Sequence, residues 1–143
     1  MRASGILMPV FSLPSRYGIG SFSKSAYQFV DMLKKAGQKY WQILPLCPTS
    51  YGDSPYQSFS TYAGNPYFID LDQLIEEKLL TRKECQACDF GDDPQDIDYG
   101  KLYENRFKLL RKAYERANVG EDQEFEAYRR ENAWWLDDYA LFM

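Results

Sequence analysis

The sequence predicts an α/β fold built on parallel strands. Short apolar runs bounded by turn residues stand at 5–10 and 40–46, and an amphipathic helical stretch lies between them. Strand, helix, strand in that order makes a βαβ unit, two parallel neighbours joined by a right-handed crossover. Parallel sheets need both faces covered and more than two strands, yet no obvious third strand follows residue 46.

Each element has a local reason. Gly5-Ile6-Leu7-Met8-Pro9-Val10 is a short apolar run closed by Ser12-Leu13-Pro14-Ser15, and it reads as a buried strand. Gly18-Ile19-Gly20 extends the loop, and Ser21 or Ser23 can cap the helix that follows. Ala26, Phe29, Val30, Leu33 and Ala36 fall on one face of that helix, and Gly37 supplies its stop. Tyr40 to Leu46 is the second strand, so Trp41 reads as core. Residues 47–66 form a long loop rich in Pro, Gly, Ser and Tyr. Asp70 to Leu80 reads as a helix with Leu71, Leu74, Ile75 and Leu79 on one side. Asp70 and Asp72 stand at its N-terminal end, where a carboxylate favours the helix dipole.

Asp89 to Gly100 is acidic and turn-like, and Asp92, Asp93, Asp96 and Asp98 lack calcium-loop spacing. A helix opening at Tyr99 or Gly100 carries Tyr103, Phe107, Leu110, Tyr114 and Ala117, and Gly120 breaks it. The last helix carries Phe125, Tyr128, Trp135, Leu136 and Tyr139. Adjacent Trp134 and Trp135 point about 100° apart on it, so at least one is expected in the core. Ala140-Leu141-Phe142-Met143 is apolar and carries no stop signal; the chain is expected to be cut inside a longer α/β protein.

Composition narrows the function. A chain of 143 residues, 45% hydrophobic and 27% charged, suits one compact globular domain. The absence of histidine excludes, within this chain, a Ser-His-Asp or Cys-His nucleophile and any His-ligated metal. A net charge of −4 with scattered Lys and Arg gives no basic patch for nucleic acid and no polybasic face for a membrane. Cys85 and Cys88 form a single CxxC with no second pair to complete a zinc site. With Cys47 they read as reduced cysteines of a cytoplasmic protein. No signal peptide opens the chain and no apolar run approaches the ~20 residues of a membrane span. No metal or cofactor is expected.

The residues that carry chemistry leave the C-terminal end of the second strand, where parallel α/β proteins bind their ligands. Pro45 to Ser60 mixes aromatic faces (Tyr51, Tyr56, Phe59) with short hydrogen-bonding side chains (Thr49, Asp53, Ser54, Gln57, Ser58). A sugar packs its C–H face on an aromatic ring and needs fixed partners for its hydroxyls, so such a loop suits it. The same composition also suits a loop that only covers the end of the sheet. Tyr17-Gly18-Ile19-Gly20-Ser21 has too few glycines in the wrong pattern for a nucleotide-phosphate cradle.

Longer motifs decide between these. Arg2-Ala3-Ser4-Gly5-Ile6-Leu7, Ser12-Leu13-Pro14 and Tyr17-Gly18-Ile19-Gly20 come first. Trp41-Gln42-Ile43-Leu44-Pro45-Leu46, Pro48-Thr49, Tyr51-Gly52-Asp53-Ser54-Pro55-Tyr56-Gln57 and Ala63-Gly64-Asn65-Pro66 follow. Asp98-Tyr99-Gly100, Leu102-Tyr103 and Trp134 to Phe142 complete the set. The chain resembles, over nearly its whole length, the N-terminal part of the 4-α-glucanotransferases, also called amylomaltases or disproportionating enzymes, glycoside hydrolase family seventy-seven. It departs from many members at Met8-Pro9-Val10-Phe11, where they carry a histidine-containing segment, and at Cys47, where they carry glycine.

The resemblance implies a (β/α)8 barrel with inserted helical subdomains. Residues 1–66 would supply the first βαβ unit and the substrate loop, and 67–143 a mainly helical insertion. It implies transfer of an α-1,4-glucan segment to the 4-hydroxyl of another glucan or glucose, by a retaining double displacement. The family's three catalytic carboxylates lie beyond Met143, so this chain is expected to carry substrate-binding residues, no catalytic ones, and no activity alone. By resemblance Tyr56 stacks near the reacting sugar with Ser54 close by, and Asp53 binds there or shapes the loop. Tyr51 and Tyr103 match a second glucan site that holds the bend of a long chain; their plainer reading is packing between loop and helix. A stand-alone, non-catalytic α-glucan-binding module is the competing expectation.

Overall fold

The computed structural model describes residues 2–50, 52–93 and 95–143. Two strands, β1 (Gly5–Leu7) and β2 (Tyr40–Gln42), pair in parallel, with Gly5 opposite Tyr40, Ile6 opposite Trp41 and Leu7 opposite Gln42. Helix α1 (Lys24–Lys35) joins them. The βαβ unit is therefore present, with both strands shorter than the apolar runs. Pro9 has no N–H to continue β1, and the chain turns into a 3-10 helix at Val10–Ser12. The last rung is the Met8 N–H on the Gln42 carbonyl at 3.0 Å, after which β2 runs out towards Pro45. Two strands close no barrel by themselves.

Four further helices follow: α2 (Leu71–Glu76), α3 (Arg82–Gln86), α4 (Tyr99–Ala117) and α5 (Gln123–Phe142). Asp70 caps α2, its carboxylate accepting from Asp72 N–H at 3.1 Å. The helix expected to reach Leu80 ends at Glu76. Lys78 sits at φ 63°, and Leu79 N–H reaches back to the Leu74 carbonyl at 2.9 Å, a left-handed close. Then α3 starts on its own capping box, with Thr81 Oγ1 accepting from Glu84 N–H and Glu84 accepting from Thr81 N–H. Helix α4 starts at Tyr99 under an Asp98 cap; it stops at Asn118 (φ 49°), ahead of Gly120, because Asn also tolerates the left-handed conformation.

One apolar cluster holds these pieces. Val10, Leu13, Tyr17 and Ile19 of the loop after β1 meet Leu71, Leu80, Cys85, Leu102 and Leu109 of the later helices. Two glycines make this contact possible. A Cβ on Gly20 would stand 2.2 Å from the Val10 carbonyl oxygen, and Gly18, at φ +76°, has the Phe90 carbonyl oxygen 2.7 Å from where its Cβ would be. Trp41 packs half-buried against this cluster, its ring edge-on to Phe29 at 5.1 Å and its indole N–H on the Met8 carbonyl at 2.7 Å. Helix α5 has no buried residue. Contrary to expectation, neither Trp134 nor Trp135 reaches the core; both lie against Tyr62, at 4.8 and 5.7 Å between ring centres.

Candidate functional site

The loop from β2 is held by its own backbone. Asn65 N–H on the Leu46 carbonyl (2.8 Å) closes the base, and Ser50 N–H on the Gln57 carbonyl (3.0 Å) closes the tip. Between those ends, Asp53 N–H bonds the Ser50 carbonyl at 3.0 Å and Gln57 N–H the Ser54 carbonyl at 3.1 Å. Gly52 (φ 90°) and Asp53 (φ 55°) both lie in the left-handed region, which turns the chain sharply. Pro48 is buried beneath the loop. Asn65, also buried, accepts from Tyr67 N–H at 2.9 Å and caps the 3-10 turn Pro66–Phe68.

Most of the residues expected to bind sugar fall on this tip. Tyr56 presents its ring to solvent, 73% exposed. Ser54 sits half-buried beside it and accepts from Tyr56 N–H at 3.3 Å, which fixes the rotation of the next two residues. Asp53 is half-buried. Tyr51 lies outside the described residues. Tyr103 is on the solvent side of α4, 66% exposed, with its ring edge-on to Phe107 at 5.4 Å.

Two residues without an expected role join these. Tyr67, buried, packs between Tyr99 (6.2 Å) and Phe107 (5.7 Å) and so fastens the end of the loop to α4. Burial pushes the Tyr67 phenol above its ordinary range, and the Asp53 carboxylate and the Tyr103 and Tyr99 hydroxyls push it the same way. Burial, then Asp53, raises the Tyr99 phenol too. These phenols stay protonated donors at neutral pH. Tyr99, Tyr103 and Phe107 recur every four residues, so they form one row along α4. That spacing was visible in the sequence; what it faced was not.

A cleft of about 1100 Å³, open to solvent, lies elsewhere, between the start of α1 and α2. Its lining mixes Arg16, Lys24 and Arg82 with Asp70, Glu76 and Glu77, and its floor is the Tyr17 hydroxyl donating to Asp72 at 2.6 Å. Among the described residues, none of those expected to bind sugar lines it. Among the described residues, no group of three or more Cys, Asp or Glu side chains is placed to hold a metal, and no helix is long and apolar enough to cross a membrane.

A parallel βαβ start followed by an aromatic and hydroxyl-rich loop places the chain among the α/β proteins. The 4-alpha-glucanotransferase family model matches residues 8–143, and the chain belongs to that family. It is 56% identical over 136 residues to the 4-alpha-glucanotransferase of Clostridium butyricum, covering 95% of this chain and 28% of that protein. The Thermus thermophilus 4-alpha-glucanotransferase is 47% identical over 146 residues, covering 99% of this chain and 28% of its own length. Among solved structures, the amylomaltase of Streptococcus agalactiae in complex with acarbose superposes with a TM-score of 0.85 at 45% identity. That match covers 94% of this chain and 28% of the other. The chain thus spans little more than a quarter of the length of the relatives it matches.

Proposed function

We propose that this chain is the N-terminal, substrate-binding part of a 4-α-glucanotransferase. The observation that carries the reading is the family match over residues 8–143 together with a loop whose tip is already shaped. In this reading β1, α1 and β2 begin a (β/α)8 barrel, residues 1–66 carry the substrate loop, and 67–143 form a mainly helical insertion. Tyr56 stacks on the reacting sugar and Ser54 holds one of its hydroxyls. Tyr51 and Tyr103 hold a second stretch of the same α-1,4-glucan.

The chemistry is a retaining double displacement. A carboxylate displaces the leaving glucan to form a glycosyl-enzyme, and a second carboxyl group gives and then takes the proton. The 4-hydroxyl of an acceptor glucan replaces water in the second step. Those carboxylates lie downstream of Met143, so this chain's part is to orient the sugar, which by itself is worth several kcal/mol of barrier, about 7–11 in well-aligned cases. The protein works in the cytoplasm, a reading supported by three cysteines that are all free thiols.

The test is to extend the reading frame past Met143 and supply the product with maltotriose. Glucose and longer maltodextrins appearing together support the transferase. A folded full-length product that binds maltodextrin without redistributing it would instead be a glucan-binding module.

A further inference from the structure

Asp53 has three features that sugar binding does not require. Its backbone is held at φ 55°, a region that Asp and Asn enter more readily than most residues. The residue is half-buried, whereas Tyr56 three residues on is exposed. And it lines, with Pro45, Thr49, Asn65 and Tyr99, a closed gap of about 10 Å³, room for one bridging water at most. Tyr99, in the same lining, is the first residue of the α4 aromatic row.

We propose that Asp53 is a positioning residue: lining this gap together with Tyr99, it holds the 50–57 turn, and with it Tyr56, in register with the aromatic row of α4. Its functional consequence rests on the glucanotransferase reading above. The electrostatics agree, because the Asp53 carboxylate raises the phenols of both Tyr99 and Tyr67. Mechanically, the turn is tied to α4 from two sides. Tyr67, behind the loop, packs on Tyr99 and Phe107. Asp53, within the loop, lines the same small gap as Tyr99. A loop tied at both places moves with α4, so a glucan lying on Tyr103 and one lying on Tyr56 are presented at a fixed separation.

The experiment is a double-mutant cycle in the full-length enzyme, using Asp53→Asn and Tyr99→Phe. Asparagine keeps the left-handed turn and removes the charge; phenylalanine keeps the ring and removes the hydroxyl. A misplaced loop should cost about tenfold to a hundredfold in kcat for maltotriose, with KM nearly unchanged. The double variant should be no worse than the poorer single one, because both break the same link. Losses that multiply overturn the proposal, since Asp53 would then act on the sugar directly; an unchanged kcat in folded Asp53→Asn overturns it as well. The same cycle read by urea unfolding needs no turnover. Coupling of the two substitutions there supports the link, and strict additivity refutes it. A wild-type protein that transfers no glucan would sink the transferase reading alone, and the unfolding cycle would still judge Asp53. Should Asp53→Asn fail to fold, Asp53→Gly, which also accepts φ 55°, takes its place in the cycle.

Discussion

Tyr56 and Tyr103 differ in what surrounds them, and that difference makes their substitutions separable. Tyr56 stands on a turn fixed by the Ser50–Gln57 and Ser54–Gln57 hydrogen bonds, so removing its ring leaves the loop intact. Tyr56→Ala in the full-length enzyme should reduce kcat/KM for maltotriose by about a hundredfold, by loss of alignment at the reacting sugar. Turnover near wild type would show that the ring is only exposed, without a role. Tyr103 touches Phe107 and little else among the described rings, so Tyr103→Ala should leave maltotriose kinetics within about twofold, as surface truncations usually do. Initial rates on long amylose should fall; an equal loss on both substrates would place Tyr103 in the wrong site. Motif position made both tyrosines candidates, and both are exposed. Tyr67, Tyr99 and Arg106 were not assigned roles, because each acts through contacts 30 or more residues away in the chain. Arg106 is the clearest case. It occupies a core position between Leu102 and Leu109, 1% exposed, and donates to the Ile69 carbonyl. Burial pushes its guanidinium down to about 10. A charged residue breaking an apolar helical period was the available signal.

At the scale of elements, order and type were legible and ends were not. Helix α1 and the two strands follow from apolar spacing, whereas strand length was decided by where Pro9 and Pro45 interrupt pairing. Helix α3 was missed although Thr81-x-x-Glu84 spells a capping box, because five residues are too few to show a period. That short helix is fastened to α4 by Glu84, which lies 2.8 Å from Arg116 Nη2 and 3.6 Å from Lys112 Nζ, while Arg116 also donates to the Leu79 carbonyl at 3.0 Å. The Arg116 hydrogen bonds, then those of Thr81, hold the Glu84 carboxyl far below the usual carboxylate range. A depressed native carboxyl stabilises fully above its unfolded value, near 4.3, and that contribution disappears as pH falls from about 5 towards the native value. Hydrogen-exchange protection of α3 amides should therefore decline on acidification in the wild type. In Glu84→Gln it should start lower at pH 7 and change little with acid. Added salt should narrow the gap between them, because the pair is at the surface. Parallel pH profiles for the two proteins would show that the latch carries no weight.

At the scale of the molecule, apolar surface is distributed unevenly. The loop after β1 and helices α1 to α4 share the core, and β2 reaches it through Trp41, while β1 and α5 contribute no buried residue. Ile6, Leu7, Tyr40 and Ile43 along the strand pair, Trp134, Leu141 and Phe142 along α5, and Phe59 of the loop against Phe142 are all exposed. Parallel strands are almost always covered on both faces, and exposed apolar patches beyond a few hundred Å² mark surfaces that another structure covers. If β1 and β2 begin a barrel, the later repeats are what covers them. Residues 1–143 alone should then bind an apolar dye such as anilinonaphthalene sulfonate and self-associate with rising concentration, whereas the full-length enzyme should do neither. Within the isolated segment, exchange protection should persist at α4, whose Leu102 and Leu109 are buried, and be lost along β1, β2 and α5. A monomeric, dye-silent segment with uniform protection would mean that the strand pair and α5 need no cover, and the barrel reading would lose its physical motive.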